Sequence, residues 1–271
     1  MLLPQIAVKK LYDDFGIVKP ADLSLDTILA CKNIFVREAE IDGAEARILM
    51  REDSAVITIS NRIQNQQKRK FILSHELGHF VMHRFNQLML TDTDETFDSW
   101  YKNNFVDQEV EANLFAAEYL MPSKLFEKVC KSVCKDHPEI LRDGLDLPVL
   151  MDAIARYFDV SMTAAFLRFV DCGIHPVIAV GCKDGIVSWF KWSSDFPHYI
   201  HAFNRHLPPR PESVASEVFK NGISYSGLER KQWIPKSAWF STGSRDRDST
   251  FYEYCIYSER YGYSISLIWE P

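Results

Sequence analysis

The residues best equipped for chemistry lie together in one apolar run, Phe71-Ile72-Leu73-Ser74-His75-Glu76-Leu77-Gly78-His79-Phe80-Val81-Met82-His83. His75 and His79 are four residues apart, so a helix stacks them on one face, where two imidazole nitrogens can serve a single tetrahedral zinc ion. Glu76 sits beside that pair without ligating. A carboxylate there can take a proton from a water that the metal acidifies, readying it to attack a peptide carbonyl. The apolar residues around the H-E-x-x-H spacing predict a buried helix. The plain alternative is a pair of core histidines satisfied by backbone carbonyls, but two imidazoles and a carboxylate are costly in so apolar a helix without a metal.

A catalytic zinc needs a third protein ligand. His83 is eight residues from His75, a helical rise of about 12 Å, whereas ligand atoms on one zinc lie within about 4 Å of each other. The third ligand must therefore come from another segment. The best source is Asp107-Gln108-Glu109-Val110-Glu111-Ala112-Asn113-Leu114-Phe115-Ala116-Ala117-Glu118-Tyr119-Leu120-Met121-Pro122, which reads as a helix stopped by proline. Glu109 shares its face with Ala112, Asn113, Ala116, Ala117 and Leu120, mostly small residues that would let this helix approach another closely. Glu111 faces Leu114, Phe115 and Glu118. Glu109 is the preferred ligand and Glu111 the runner-up; both could instead be solvated charges at a helix N-terminus.

These two stretches, His75-Glu76-Leu77-Gly78-His79 and Glu109-x-Glu-Ala-Asn-x-Phe-Ala-Ala-x-x-Leu-Met-Pro122, together resemble the ImmA/IrrE family of bacterial metallopeptidases. The likeness extends loosely from the N-terminus to about residue 172. It implies a zincin-like fold with two histidines and a later glutamate on zinc, and with the motif glutamate as general base. It also implies a protein substrate, a helix-turn-helix repressor acting in a stress or mobile-element response. One departure precedes the motif, where Lys68-Arg69-Lys70-Phe71 carries lysines at positions at which arginines are common.

The rest of the chain must position these groups. Its 271 residues, 46% hydrophobic, suffice for about two packed cores. A formal charge of -6 argues against a broad nucleic-acid footprint, so direct DNA binding is not expected. There is no signal-like start and no apolar run of membrane-spanning length, which predicts a cytoplasmic protein with reduced cysteines. Helical spacing marks residues 4–17 and 24–31, and short strands are expected over 33–40, 44–50 and 55–60. The strand over 55–60, just before the motif helix, is where a zincin places the edge strand that pairs with an extended peptide. Residues 91–107 are acidic and aromatic and read as a loop at the mouth of the site. Tyr101 or Tyr119 could polarise the scissile carbonyl.

The expected fold is α+β, in three parts. Residues 1–125 form the zincin-like domain and 126–172 a helical segment whose 147–170 stretch resembles a helix-turn-helix, weighted towards packing or docking because it offers few polar groups (Ser161, Thr163 and Arg168). Residues 173–271 form a second α+β domain with an antiparallel sheet, resembling in some relatives a GAF-like sensor. There, Lys183-Asp184-Gly185 marks a hairpin, helices are expected over 196–206 and 211–220, and strands over 232–241, 251–257 and 263–269. His198 and His201 read as surface residues of a helix. The Cys130 and Cys134 pair is a weak metal or redox signal without a second close pair. The function expected is a zinc-dependent endopeptidase, with manganese as a substitute ion. The rival is a DNA- or protein-binding regulator whose metal site is only structural, and Glu76 discriminates them because a structural site needs no acid beside its histidines.

Overall fold

The computed structural model describes residues 3–84, 89–91, 107–196, 206–221, 231–240, 249–258 and 262–271. It divides into two compact units, Met1–Phe126 with Phe158–Ser161, and Glu127–Tyr157 with Met162–Pro271. The loop expected over 91–107, Tyr101, the helix expected over 196–206 and both His198 and His201 lie largely or wholly outside the described residues.

The first unit begins with helices α1 (Leu3–Phe15) and α2 (Leu25–Cys31), followed by strands β1 (Ile34–Ala39), β2 (Ala46–Met50) and β3 (Ala55–Ser60). Helix α3 (Gln66–His83), strand β4 (Met89–Thr91) and helix α4 (Asp107–Leu120) complete the elements around the motifs. The sheet order is β1-β3-β2-β4, with β1 parallel and β2 antiparallel to β3. Strand β3 is thus interior, paired on both sides, and cannot offer its backbone to a peptide as the expected edge strand would. The edges are β1 and β4. The reason is the path of the chain: β2 leaves a gap beside β1, and β3 returns from β2 by a hairpin into that gap, antiparallel to β2 and parallel to β1.

Alternation makes the sheet one-sided. Ala46, Ile48 and Met50 of β2 are buried while Arg47 and Leu49 are exposed, and Ala55, Ile57 and Ile59 of β3 are buried on the matching face. That face packs with α3, whose Leu77 and Phe80 are fully enclosed. Helix α3 starts where Asn65 caps it, its side chain accepting from the Lys68 amide at 2.8 Å. The basic run that opens the helix is committed to internal pairs: Lys68 with Glu45, Arg69 with Glu38 at 3.0 Å and Lys70 with Asp159 at 3.1 Å. Helix α4 lies between α1 and α3; the Tyr12 hydroxyl donates to the Tyr119 carbonyl at 2.5 Å.

The second unit holds most of helix α5 (Ser123–Asp136), then α6 (Leu147–Phe158) and α7 (Met162–Cys172), which flank the tight turn predicted between them. Arg168 of α7 is buried, so this polar group faces the interior and not a surface. A five-stranded antiparallel sheet follows, ordered β6-β5-β9-β8-β7 from β5 (Val177–Lys183), β6 (Ile186–Trp192), β7 (Gln232–Pro235), β8 (Thr250–Ser258) and β9 (Tyr263–Trp269), with helix α8 (Val214–Asn221) on one face. Asp184 and Gly185 both adopt positive φ, 50° and 77°, the conformation a two-residue hairpin between β5 and β6 requires.

Two boundaries differ from expectation in this unit. Helix α8 begins at Val214 because the Ser213 hydroxyl caps it, accepting from the Ser216 amide at 3.1 Å. Strand β7 ends at Pro235, where the chain turns into a short 3-10 helix, Lys236–Ala238. The alternation in β9 does not separate core from solvent: as the central strand it is buried on both faces, serines included. None of the six cysteines is in a disulfide. No helix among the described residues is long and apolar enough to cross a membrane.

Candidate metal centre

The site forms where α3 and α4 pack together. Along this seam His75 meets Asn113 and His83 meets Glu111. Their closeness depends on small residues. A Cβ placed on Gly78 would lie 3.0 Å from the Phe115 ring and 3.1 Å from its Cβ, so the glycine in the motif makes room for the α4 aromatic. Ala112 and Ala116 are fully buried, as the small-residue face of α4 predicted.

Three side chains converge. The Nε2 atoms of His75 and His79 are 2.9 Å apart, and the Glu109 carboxylate brackets them, Oε2 at 3.3 Å from His75 Nε2 and Oε1 at 3.3 Å from His79 Nε2. Among the described residues this trio is the group whose ligand atoms all lie within 4.8 Å of one another. Two ligands about 2.1 Å from a tetrahedral ion are separated by about 3.4 Å, so the donor set is close to the size of one metal. Both histidines are 1% exposed, which keeps competing water away.

The surrounding groups prepare the donors. His75 Nδ1 lies 2.9 Å from Asn113 Oδ1 and donates to it, which turns the Nε2 lone pair towards Glu109. Burial acts to raise the Glu109 carboxyl, but hydrogen bonds and charge from His75 and His79 outweigh it and hold the group well below the usual carboxylate range. Glu109 is accordingly an anion whose oxygens face the two imidazoles. Such a set of lone pairs suits a divalent cation: the residues fit a metal of the zinc type.

Of the two glutamates considered from the sequence, Glu109 is therefore the one brought to the histidines. Glu111 is turned elsewhere, its Oε2 2.8 Å from His83 Nε2. Glu76 is 1% exposed and lies on α3 between the two histidines in sequence. Tyr119 is a core residue, stacked on Phe115 and edge-on to Tyr12. Sequence reasoning missed the parts of Asn113 and Gly78. Asn113 follows Glu109 by four residues, the spacing that puts both on one face, and that was the available signal.

Residues 31–169, just over half of the chain, match a family model described as Peptidase_M78, the IrrE N-terminal-like domain. The chain belongs to the Peptidase_M78 family. The match takes in both α3 and α4, and with them every residue of the candidate centre. Comparison with curated proteins by sequence finds no match. Among solved structures, a Mycobacterium tuberculosis transcriptional regulator superposes with a TM-score of 0.60 over 100% of this chain and 77% of its own, at 13% identity. That likeness is one of fold. For this Peptidase_M78 chain it means that the α+β architecture of both units recurs in a protein that shares few of its residues.

Proposed function

We propose that the chain is a zinc-dependent endopeptidase acting on a protein substrate. The observation that carries this reading is the convergence of His75, His79 and Glu109 on one point, with Glu76 buried on the same helical turn as the histidines. When bound, the metal would acidify a water and polarise the scissile carbonyl. The chain's own residues do the rest. His75, His79 and Glu109 would hold the ion. Glu76 takes the proton from the attacking water and delivers it to the leaving nitrogen. Asn113 keeps His75 in the tautomer that ligates.

Family membership supports peptide-bond hydrolysis, and the family resemblance points to a helix-turn-helix repressor as the substrate. Purified protein incubated with the repressor encoded nearest to it should yield two fragments. Glu76→Gln should keep its zinc and lose cleavage by about 10²–10⁴-fold, the range for a general acid-base group. A Glu76→Gln variant that still cuts would leave a metal site without the proposed mechanism, and the structural-metal regulator would then be the better reading.

A further inference from the structure

His83 and Glu111 take no part in holding the metal, yet they are built against the site. His83 is 4% exposed, one turn beyond His79 on α3. Its Nε2 is 2.8 Å from Glu111 Oε2, and its Nδ1 is 3.5 Å from His79 Nδ1. We propose that Glu111 and His83 form a positioning relay that fixes the tautomer of His79 and so strengthens its bond to the metal. This rests on the reading of His75, His79 and Glu109 as a metal centre.

A carboxylate can only accept, so the proton between Glu111 and His83 belongs to His83 Nε2. In the relay His83 is the neutral imidazole and presents its lone pair at Nδ1. Facing that lone pair, His79 Nδ1 carries the proton, which leaves the lone pair of His79 on Nε2, directed at His75 Nε2 and Glu109 Oε1. The result mirrors the other side of the centre, where Asn113 fixes His75 through its Nδ1. Metal-bound histidines commonly donate their second N–H to a carboxylate or carbonyl, and losing such partners costs about 10–100-fold in metal affinity. Here a second imidazole carries the carboxylate's influence across one helical turn. The H-x-x-x-H-x-x-x-H spacing thus supplies two ligands, His75 and His79, and one supporting residue, His83, while the Glu-x-Glu spacing supplies one ligand, Glu109, and one supporting residue, Glu111.

The test uses the full chain. Zinc affinity is measured by competition with a chromophoric chelator, and histidine tautomers in the metal-free protein are read from ring ¹⁵N chemical shifts. Glu111→Ala and His83→Phe should weaken zinc binding by about 10–100-fold, while Glu111→Gln, whose amide oxygen still accepts from His83, should stay within about threefold of the natural protein. In the metal-free natural protein His79 should carry its proton on Nδ1, and in Glu111→Ala it should become a mixture of both tautomers. Unchanged affinity in Glu111→Ala, equal loss in Glu111→Ala and Glu111→Gln, or a His79 proton on Nε2 in the natural protein would overturn the relay. A natural protein that takes up no zinc would overturn the metal centre itself, and the tautomer shifts would still decide the relay.

Discussion

Both units bury charge, in opposite ways. In the second unit Glu253 of β8 is completely enclosed, and its two oxygens accept from the amides of Val214 at 2.9 Å and Ala215 at 3.1 Å, Trp239 Nε1 at 2.9 Å and the Ser266 hydroxyl at 2.6 Å. Four donors surround one acceptor group, and two of them are the amides that open α8. This is a closed account: the carboxylate holds a helix end and a tryptophan against the sheet, and nothing further is required. In the first unit the Glu109 carboxylate lies against the Nε2 atoms of two buried imidazoles, and its buried Oε2 has no hydrogen-bond partner of good geometry. The difference separates buried polar groups that complete a fold from those that await a ligand. Burial alone does not make that distinction; the sign of what faces the buried group does.

The comparison breaks first at Glu109. Removing it should collapse zinc content, since a catalytic zinc normally holds three protein ligands, and metal analysis of Glu109→Ala should show a loss far larger than that of Glu111→Ala. The fold should survive, because Glu109 serves the ion and not the core. At Glu253 the opposite holds. Glu253→Ala leaves four buried donors without an acceptor and should cost about 2–5 kcal/mol in stability, measured by thermal or urea unfolding, with zinc affinity unchanged. A Glu253→Ala variant of full stability would show that the two sites are not as different as their hydrogen bonds indicate.

Gly78 sharpens the comparison because there packing and ligation meet. Gly78→Ala forces a methyl against Phe115, an overpacking that should cost about 1–3 kcal/mol. It should also weaken zinc, because moving α4 moves Glu109. Stability loss without a change in metal affinity would mean that the two helices can part without disturbing the centre.

The smallest expected effect is on pH dependence. Burial, partly offset by hydrogen bonds from Ser266, Trp239, Val214 and Ala215, raises the Glu253 carboxyl above its ordinary value. The folded state then binds that proton more tightly than the unfolded state does. Its contribution to stability is full below the unfolded carboxylate range, about 4.3, and is lost as pH rises through the folded value. Urea unfolding between pH 4.5 and 7.5 should therefore show a downward contribution in the natural protein that Glu253→Gln lacks, no steeper than about 1.4 kcal/mol per pH unit. Equal slopes in the two proteins would mean that the four donors keep Glu253 charged throughout.

Local periodicity and local chemistry were legible in the chain itself. The i, i+4 spacing of His75 and His79, the glutamate between them, the small-residue face that carries Glu109 and the proline after Met121 are one-dimensional patterns, and the helices and most strands followed from them. The choice of Glu109 over Glu111 followed from helix register, which is also local. What the tertiary structure decided was everything set by pairing between distant segments. The parallel β1–β3 pairing put the expected edge strand in the interior, and no pattern within β3 could report which strand would lie beside it. The burial of both faces of β9 came from its central place in the sheet. The partners of Glu111, His83 and Asn113 emerged only when α3 and α4 were laid against each other at the spacing Gly78 permits. A sequence states which groups a helix carries; which atom each group faces depends on the packing of another helix, and for a buried charge that is what separates structure from chemistry.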